Sequence, residues 1–171
     1  MSYAGSRYDF HDKQADYARL AQELAALLAG ESDLIANAAN AAALIFDALP
    51  EVNWAGFYFL KGGELVVGPF QGKPACVRIA LGSGVCGTAA AQRRTLVVPD
   101  VHQFPGHIAC DAASRSEIVV PLIAGGTLLG VLDIDSPRPA RFDEADVRGL
   151  ESLAELLLLS VRESCGRADR A

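Results

Sequence analysis

Residues 117–135 read EIVVPLIAGGTLLGVLDID. Two apolar, β-branched runs, Glu117 to Ile123 and Leu128 to Asp135, flank Gly125-Gly126. That pair suits a two-residue hairpin turn, whose central positions both need positive φ. The reading is two antiparallel strands. Their polar ends carry three acids: Glu117 opens the first strand, while Asp133 and Asp135 close the second and, two apart, project from one face. If the hairpin pairs in simple register, the three acids converge at one edge of the sheet. The alternative is that acids at strand ends are solvated.

Upstream lies PDVHQFPGHIACDAASRS, 99–116, a connection of about 20 residues, a length typical of binding or active-site loops. Pro99-Asp100 and Phe104-Pro105-Gly106 are turn chemistry. The loop carries His102, His107, Cys110, Asp100 and Asp111. Before it, Thr95 to Val98 reads as a strand, and Gly82-Ser83-Gly84-Val85-Cys86-Gly87-Thr88 as a turn opening a short helix through Gln92. A strand from Ala75 to Ile79 is expected to carry Cys76. A first hairpin runs from Asn53 to Leu60 and from Glu64 to Val67, turning at Lys61-Gly62-Gly63 and ending before Gly68-Pro69.

Helices lie at the two ends. Apolar residues at helical spacing predict a helix from His11 to Leu28, stopped at Gly30, and a second, Ala-rich helix capped by Ser32 and reaching Leu49. A third starts at Phe142-Asp143, with Asp143 as N-cap, and reaches about Glu163. Strands joined by tight turns with helices at either end make an α+β protein, the helices forming a bundle on one side of a largely antiparallel sheet.

The chain has 171 residues, 51% hydrophobic and 21% charged, with a net charge of −6. One domain over 1–171 is expected, with its core at about 17–160. The acidic balance, without any basic cluster, argues against nucleic acid or an anionic membrane as partner. MSYAGSRYDFHDK lacks the apolar core of a signal peptide, and no apolar run is long enough to span a bilayer. A cytoplasmic location is expected.

In that compartment Cys76, Cys86, Cys110 and Cys165 are not a structural disulfide framework. The first three are 10 and 24 residues apart, and neither spacing is C-x-x-C. A zinc site drawn from Cys76, Cys86, His102, His107 and Cys110 would take ligands from separate elements at irregular spacing, and no metal is assigned. Gly82 to Gly87 matches G-x-G-x-x-G by letters only, without the βαβ unit that a dinucleotide fingerprint requires. Cys86, at a helix N-terminus, is expected to have its thiol pKa lowered by the dipole. A thiolate on a loop, a second thiol within reach and a proton-delivering acid would make a two-cysteine reductase.

NWAGFYF, GPFQGKPACVRI, GVCGTAA, PDVHQFPGHIACDAASRSEIVVPL and GVLDIDSP, in that order, resemble the GAF-fold free methionine-(R)-sulfoxide reductases, with the match covering about Tyr17 to Leu159. The resemblance implies a six-stranded antiparallel sheet with flanking helices, usually a homodimer, and no bound cofactor. It implies that Cys110 attacks the sulfur of free L-methionine-(R)-S-oxide, with Glu117 or Asp135 as proton donor. The resulting sulfenic acid would condense with Cys76, or with Cys86, to a disulfide recycled by thioredoxin. Asp133 and Asp135 would hold the α-ammonium, and backbone N–H groups or Ser116 the carboxylate. Trp54 and Tyr58 would wall the S-methyl pocket unless they are ordinary core aromatics. The competing reading is a GAF sensor that binds a small ligand, or is oxidised, without turnover.

Overall fold

The computed structural model describes residues 8–106 and 111–168, the last seven as backbone only. Helix α1 (Lys13–Leu28) starts where the Asp12 carboxylate accepts from the Ala15 N–H at 3.1 Å, and it buries Leu20, Leu24 and Leu28, four residues apart on one face. Helix α2 (Leu34–Ala48) is capped by Asp33, which accepts from the Ala36 N–H at 2.8 Å. This corrects the expectation for Ser32, which stands one residue before the cap and has its own backbone N–H held by the Glu31 carboxylate. Helix α4 (Glu144–Ala168) follows Asp143, whose carboxylate accepts from the N–H groups of Ala145 and Asp146.

The strands are β1 (Trp54–Lys61), β2 (Glu64–Gly72), β3 (Arg78–Ala80), β4 (Leu96–Val98), β5 (Ser116–Ala124) and β6 (Thr127–Ser136). They form one sheet in the order β3-β2-β1-β6-β5-β4, with every neighbouring pair antiparallel. Both hairpins turn on glycine pairs at positive φ: Gly62-Gly63 at 62° and 88°, and Gly125-Gly126 at 57° and 79°.

Two expectations change here. Strand β2 runs through Gly68-Pro69 instead of ending before it. The register shift between Gly56 and Tyr58 lets Gly68 and Pro69 together oppose the single residue Phe57, a β-bulge. Strand β3 pairs only with Glu64 to Val66, so Pro69 sits where β2 has an open side and needs no donor. The second change is that β3 begins at Arg78, leaving Cys76 in the connection before it.

The faces of the sheet differ. On one, Ala55, Phe57, Phe59, Ile118, Val120, Leu122, Leu132 and Ile134 pack under α1, α2 and α4 as a continuous apolar core. The other face carries Trp54, Tyr58, Val119 and Val131 and is covered by the short helix α3 (Gly84–Gln92) through Val85, Cys86, Ala89 and Ala90. Helix α3 roofs the candidate site.

Candidate active site

The cavity under α3 is lined by Trp54 and Tyr58 from β1, Glu117 from β5, Asp133 and Asp135 from β6, and Ser83 with Gly84 to Cys86 at the start of α3. Lys73 to Ala75, Asp111 and Ser114 close its rim. Strand register builds it. Glu117 is opposite Asp135, and Asp135 is in turn opposite Trp54, so these residues share one face at one end of the three central strands. Asp133, two residues back on that face, lies opposite Gly56. A Cβ on Gly56 would stand 2.8 Å from both the Phe70 Cα and the Trp54 ring, so only glycine lets the indole lie flat there. Trp54 stacks on Tyr58 at 5.9 Å and on Phe70 at 5.2 Å between ring centres. Its indole N–H donates to the Lys73 carbonyl at 3.1 Å, and the Tyr58 hydroxyl donates to the Cys76 carbonyl at 3.1 Å. The aromatic wall thereby fixes the 73–76 segment over the cavity.

The acids are removed from water: Glu117 and Asp133 are each 6% exposed. Burial, then the charges of Asp133 and Asp135, push the Glu117 carboxyl well above its ordinary range. Asp135 is pushed up by burial, then by Asp133 and Asp111. Asp133 is raised less, to about 6, because bonds from Cys86, Glu117 and the Ile134 N–H offset part of its burial. Burial thus favours the protonated forms of Glu117 and Asp135 beside an Asp133 raised only to about 6, a contrast that suits an acid-assisted reaction.

Cys86 reverses an expectation. It does occupy the first turn of α3, but its thiol is pushed well above normal, first by burial and then by Asp133 and Glu117. Desolvation beside three carboxyls outweighs the helix dipole, an effect of only about 1 kcal/mol. Its sulfur is 3.8 Å from Glu117 Oε1, and it is a free thiol.

A family model for the GAF domain matches residues 17–161. The chain belongs to the GAF domain family. Protein YtsP from Bacillus subtilis is 59% identical over 148 residues, covering 85% of this chain and 91% of that one. Free methionine-R-sulfoxide reductase from Escherichia coli is 52% identical over 146 residues, covering 85% and 88% of the two chains. The X-ray structure of free methionine-R-sulfoxide reductase from Neisseria meningitidis in complex with its substrate superposes with a TM-score of 0.88 at 43% identity, over 95% of this chain and 99% of that one. The six-stranded antiparallel α+β fold expected from the sequence is the one found.

In this GAF domain the cavity brings together Trp54, Tyr58, Cys86, Glu117, Asp133 and Asp135 from the sequence-derived set. Ser116 is not among them. As the neighbour of Glu117 it faces the other side of β5, where its hydroxyl donates to the Arg138 carbonyl at 2.6 Å and accepts from the Arg141 N–H at 3.3 Å. Cys76 is disulfide-bonded. Cys110 and His107 lie outside the described residues. The described members of the suggested zinc set, Cys76, Cys86 and His102, do not cluster as ligands; among the described residues the tight donor grouping is Cys86, Glu117 and Asp133, within 4.8 Å.

Sequence reasoning passed over the rim. Asp111 accepts from Lys73 Nζ at 3.2 Å and from Asn53 Nδ2 at 3.1 Å, and the same Asn53 amide donates to Ser114 Oγ at 3.1 Å. These contacts lower the Asp111 pKa, the Ala113 N–H contributing most. The available signal was the polar run Asp111 to Ser116 ahead of an apolar strand. It could not reveal that Lys73, nearly 40 positions earlier, would meet it.

Proposed function

We propose that this GAF domain reduces free L-methionine-(R)-S-oxide to L-methionine. The observation that carries the proposal is one cavity with complements for both ends of a zwitterion. Asp133 and Asp135 suit the α-ammonium. The N–H groups that open α3 have no intrahelical acceptors and suit the carboxylate, which favours backbone N–H groups over Ser116, the other donor expected from the sequence. The Trp54–Tyr58 wall suits the S-methyl group. Relatives that bear the reductase name at 52% and 43% identity support the reading.

Cys110 is the proposed nucleophile. Asp111, the next residue, lines the cavity, which supports an attack from this loop. The Cys110 thiolate attacks the sulfoxide sulfur while the protonated Glu117 carboxyl delivers a proton to the departing oxygen. Thiol and sulfoxide become sulfenic acid and thioether, so oxygen moves from the substrate to the cysteine and methionine leaves. The Cys76 thiol then condenses with the sulfenic acid, releasing water and forming a disulfide. A thioredoxin dithiol reduces that disulfide and is itself oxidised. Cys76 being disulfide-bonded supports its resolving role. A homodimer belongs to the same proposal.

The test is NADPH consumption with thioredoxin, thioredoxin reductase and each free sulfoxide epimer, wild type beside Cys110→Ser. Turnover on the R epimer alone, lost in the variant, is the expected result. Binding without turnover on either epimer would favour the sensor reading. Turnover that survives in Cys110→Ser would move the nucleophile elsewhere.

A further inference from the structure

We propose that Cys86 is a positioning residue whose thiol remains S–H, donates to the Glu117–Asp133 carboxyl pair, and stays outside the disulfide chemistry. The proposal rests on the reductase reading above and gives its third cysteine a task that the reading leaves open.

The geometry isolates the thiol. Cys86 is 4% exposed, its sulfur is 3.8 Å from Glu117 Oε1, and one atom each of Cys86, Glu117 and Asp133 lies within 4.8 Å of the others. Among the described residues, the other ionisable groups lining the same cavity are Tyr58 from β1, Glu117 from β5, Asp133 and Asp135 from β6, and Asp111 with Lys73 on the connections. Lys73, the one cation among them, is paired to Asp111 at the rim. A thiolate here would add negative charge to three carboxyls with no cation beside it among the described residues. The neutral S–H instead supplies a donor to a cluster short of donors: Asp133 Oδ1 is buried with no hydrogen-bond partner among the described residues.

The backbone under Cys86 is also pinned. The Gly82 N–H donates to the Gly87 carbonyl at 2.8 Å, and Thr88 Oγ1 donates to the Gly84 carbonyl at 2.6 Å. Gly87 packs so tightly that an added Cβ would stand 3.2 Å from the Gly82 nitrogen. A resolving thiol must travel to the sulfenic acid and back, whereas one held this way keeps a fixed hydrogen bond. Cys76 lies in the connection between β2 and β3, outside regular structure, and is the disulfide-bonded cysteine, whereas Cys86 is a free thiol. Donation favours the ionised form of either carboxyl, and so steadies the single negative charge that the pair carries, while the second carboxyl keeps its proton through burial.

Two variants and two readouts test this. Cys86→Ser keeps a donor, and Cys86→Ala removes it. Both should sustain multiple thioredoxin-dependent turnovers. The acid limb of kcat/KM should move up by roughly half a pH unit in Cys86→Ala, since a weak hydrogen bond is worth less than one pK unit, and stay near wild type in Cys86→Ser. Loss of multiple turnover in both variants, with the first methionine still released, would make Cys86 a relay thiol and overturn the proposal. An acid limb unmoved in Cys86→Ala would overturn it as well. The second readout needs no substrate: the infrared difference between wild type and Cys86→Ser should isolate an S–H band that persists at pH values where exposed thiols have ionised. Its disappearance there would refute the proposal even if the wild type proved inactive, an outcome that by itself would count only against the reductase reading.

Discussion

The two faces of this sheet use alternate residues of the same strands and reach opposite ends. Ile134 is fully buried beneath the terminal helices, while Asp133 and Asp135, its chain neighbours, point under α3. Ile118 and Glu117 divide in the same way. The helix-packed face is apolar and cooperative, and it supplies stability. The α3 face buries two carboxyls and a thiol and half-buries a third carboxyl, which costs free energy in an unliganded protein. A fold that only needed to be stable would place apolar residues at these positions. The contrast assigns stability to one face and chemistry to the other.

Substitutions that act on one face and spare the other sharpen this division. The largest effect is expected for Glu117→Gln, which keeps the shape and removes the acid. Single-turnover formation of methionine should fall by roughly 10²–10⁴-fold, with the urea midpoint held or raised; a rate close to wild type would remove Glu117 as proton donor. Phe57→Ala, on the opposite face of the same sheet, should cost about 3–5 kcal/mol in chemical denaturation while leaving kcat/KM of the folded protein near wild type. A large kinetic loss there would break the division.

The next effect is a pH dependence. Asp133 is raised to about 6, so the folded state binds its proton more tightly than the unfolded chain does. The contribution of Asp133 to stability is therefore complete below the unfolded carboxylate range and is lost as pH rises through about 6. Asp133→Asn should escape that loss. Its stability relative to wild type should rise by roughly 2 kcal/mol between pH 4 and pH 7, read from urea midpoints. A pH-independent difference would mean that the cluster does not hold its protons as described. The smallest effect separates the two candidate caps of α2. Asp33→Ala should cost about 1 kcal/mol, Ser32→Ala should cost nothing measurable, and neither should alter turnover.

Much of the fold was legible because its signals are local. Gly62-Gly63 and Gly125-Gly126 announce their hairpins, and Leu20, Leu24 and Leu28 announce the face of α1. The convergence of Glu117, Asp133 and Asp135 was legible too, since a two-residue turn fixes register and register fixes faces. What failed depended on non-local facts. Gly68-Pro69 reads as a strand end until Phe57 is seen opposite the bulge. Ser116 reads as a loop donor until β5 is seen to begin at it, which turns its hydroxyl away from the cavity. Cys86 reads as an activated thiol because the dipole of α3 belongs to its own sequence, whereas the carboxyls that oppose ionisation come from strands 30 and more residues away. The meeting of Lys73 with Asp111 left no local trace.

On the proposed function, the carboxyl end of the sheet is a pocket for a free amino acid. The most direct measurement compares single-turnover methionine release from free methionine-(R)-sulfoxide with release from its N-acetylated form. Acetylation removes the ammonium charge and leaves the sulfoxide intact. The free substrate should react and the acetylated one should release no detectable product; equal release from both would contradict the role given to Asp133 and Asp135.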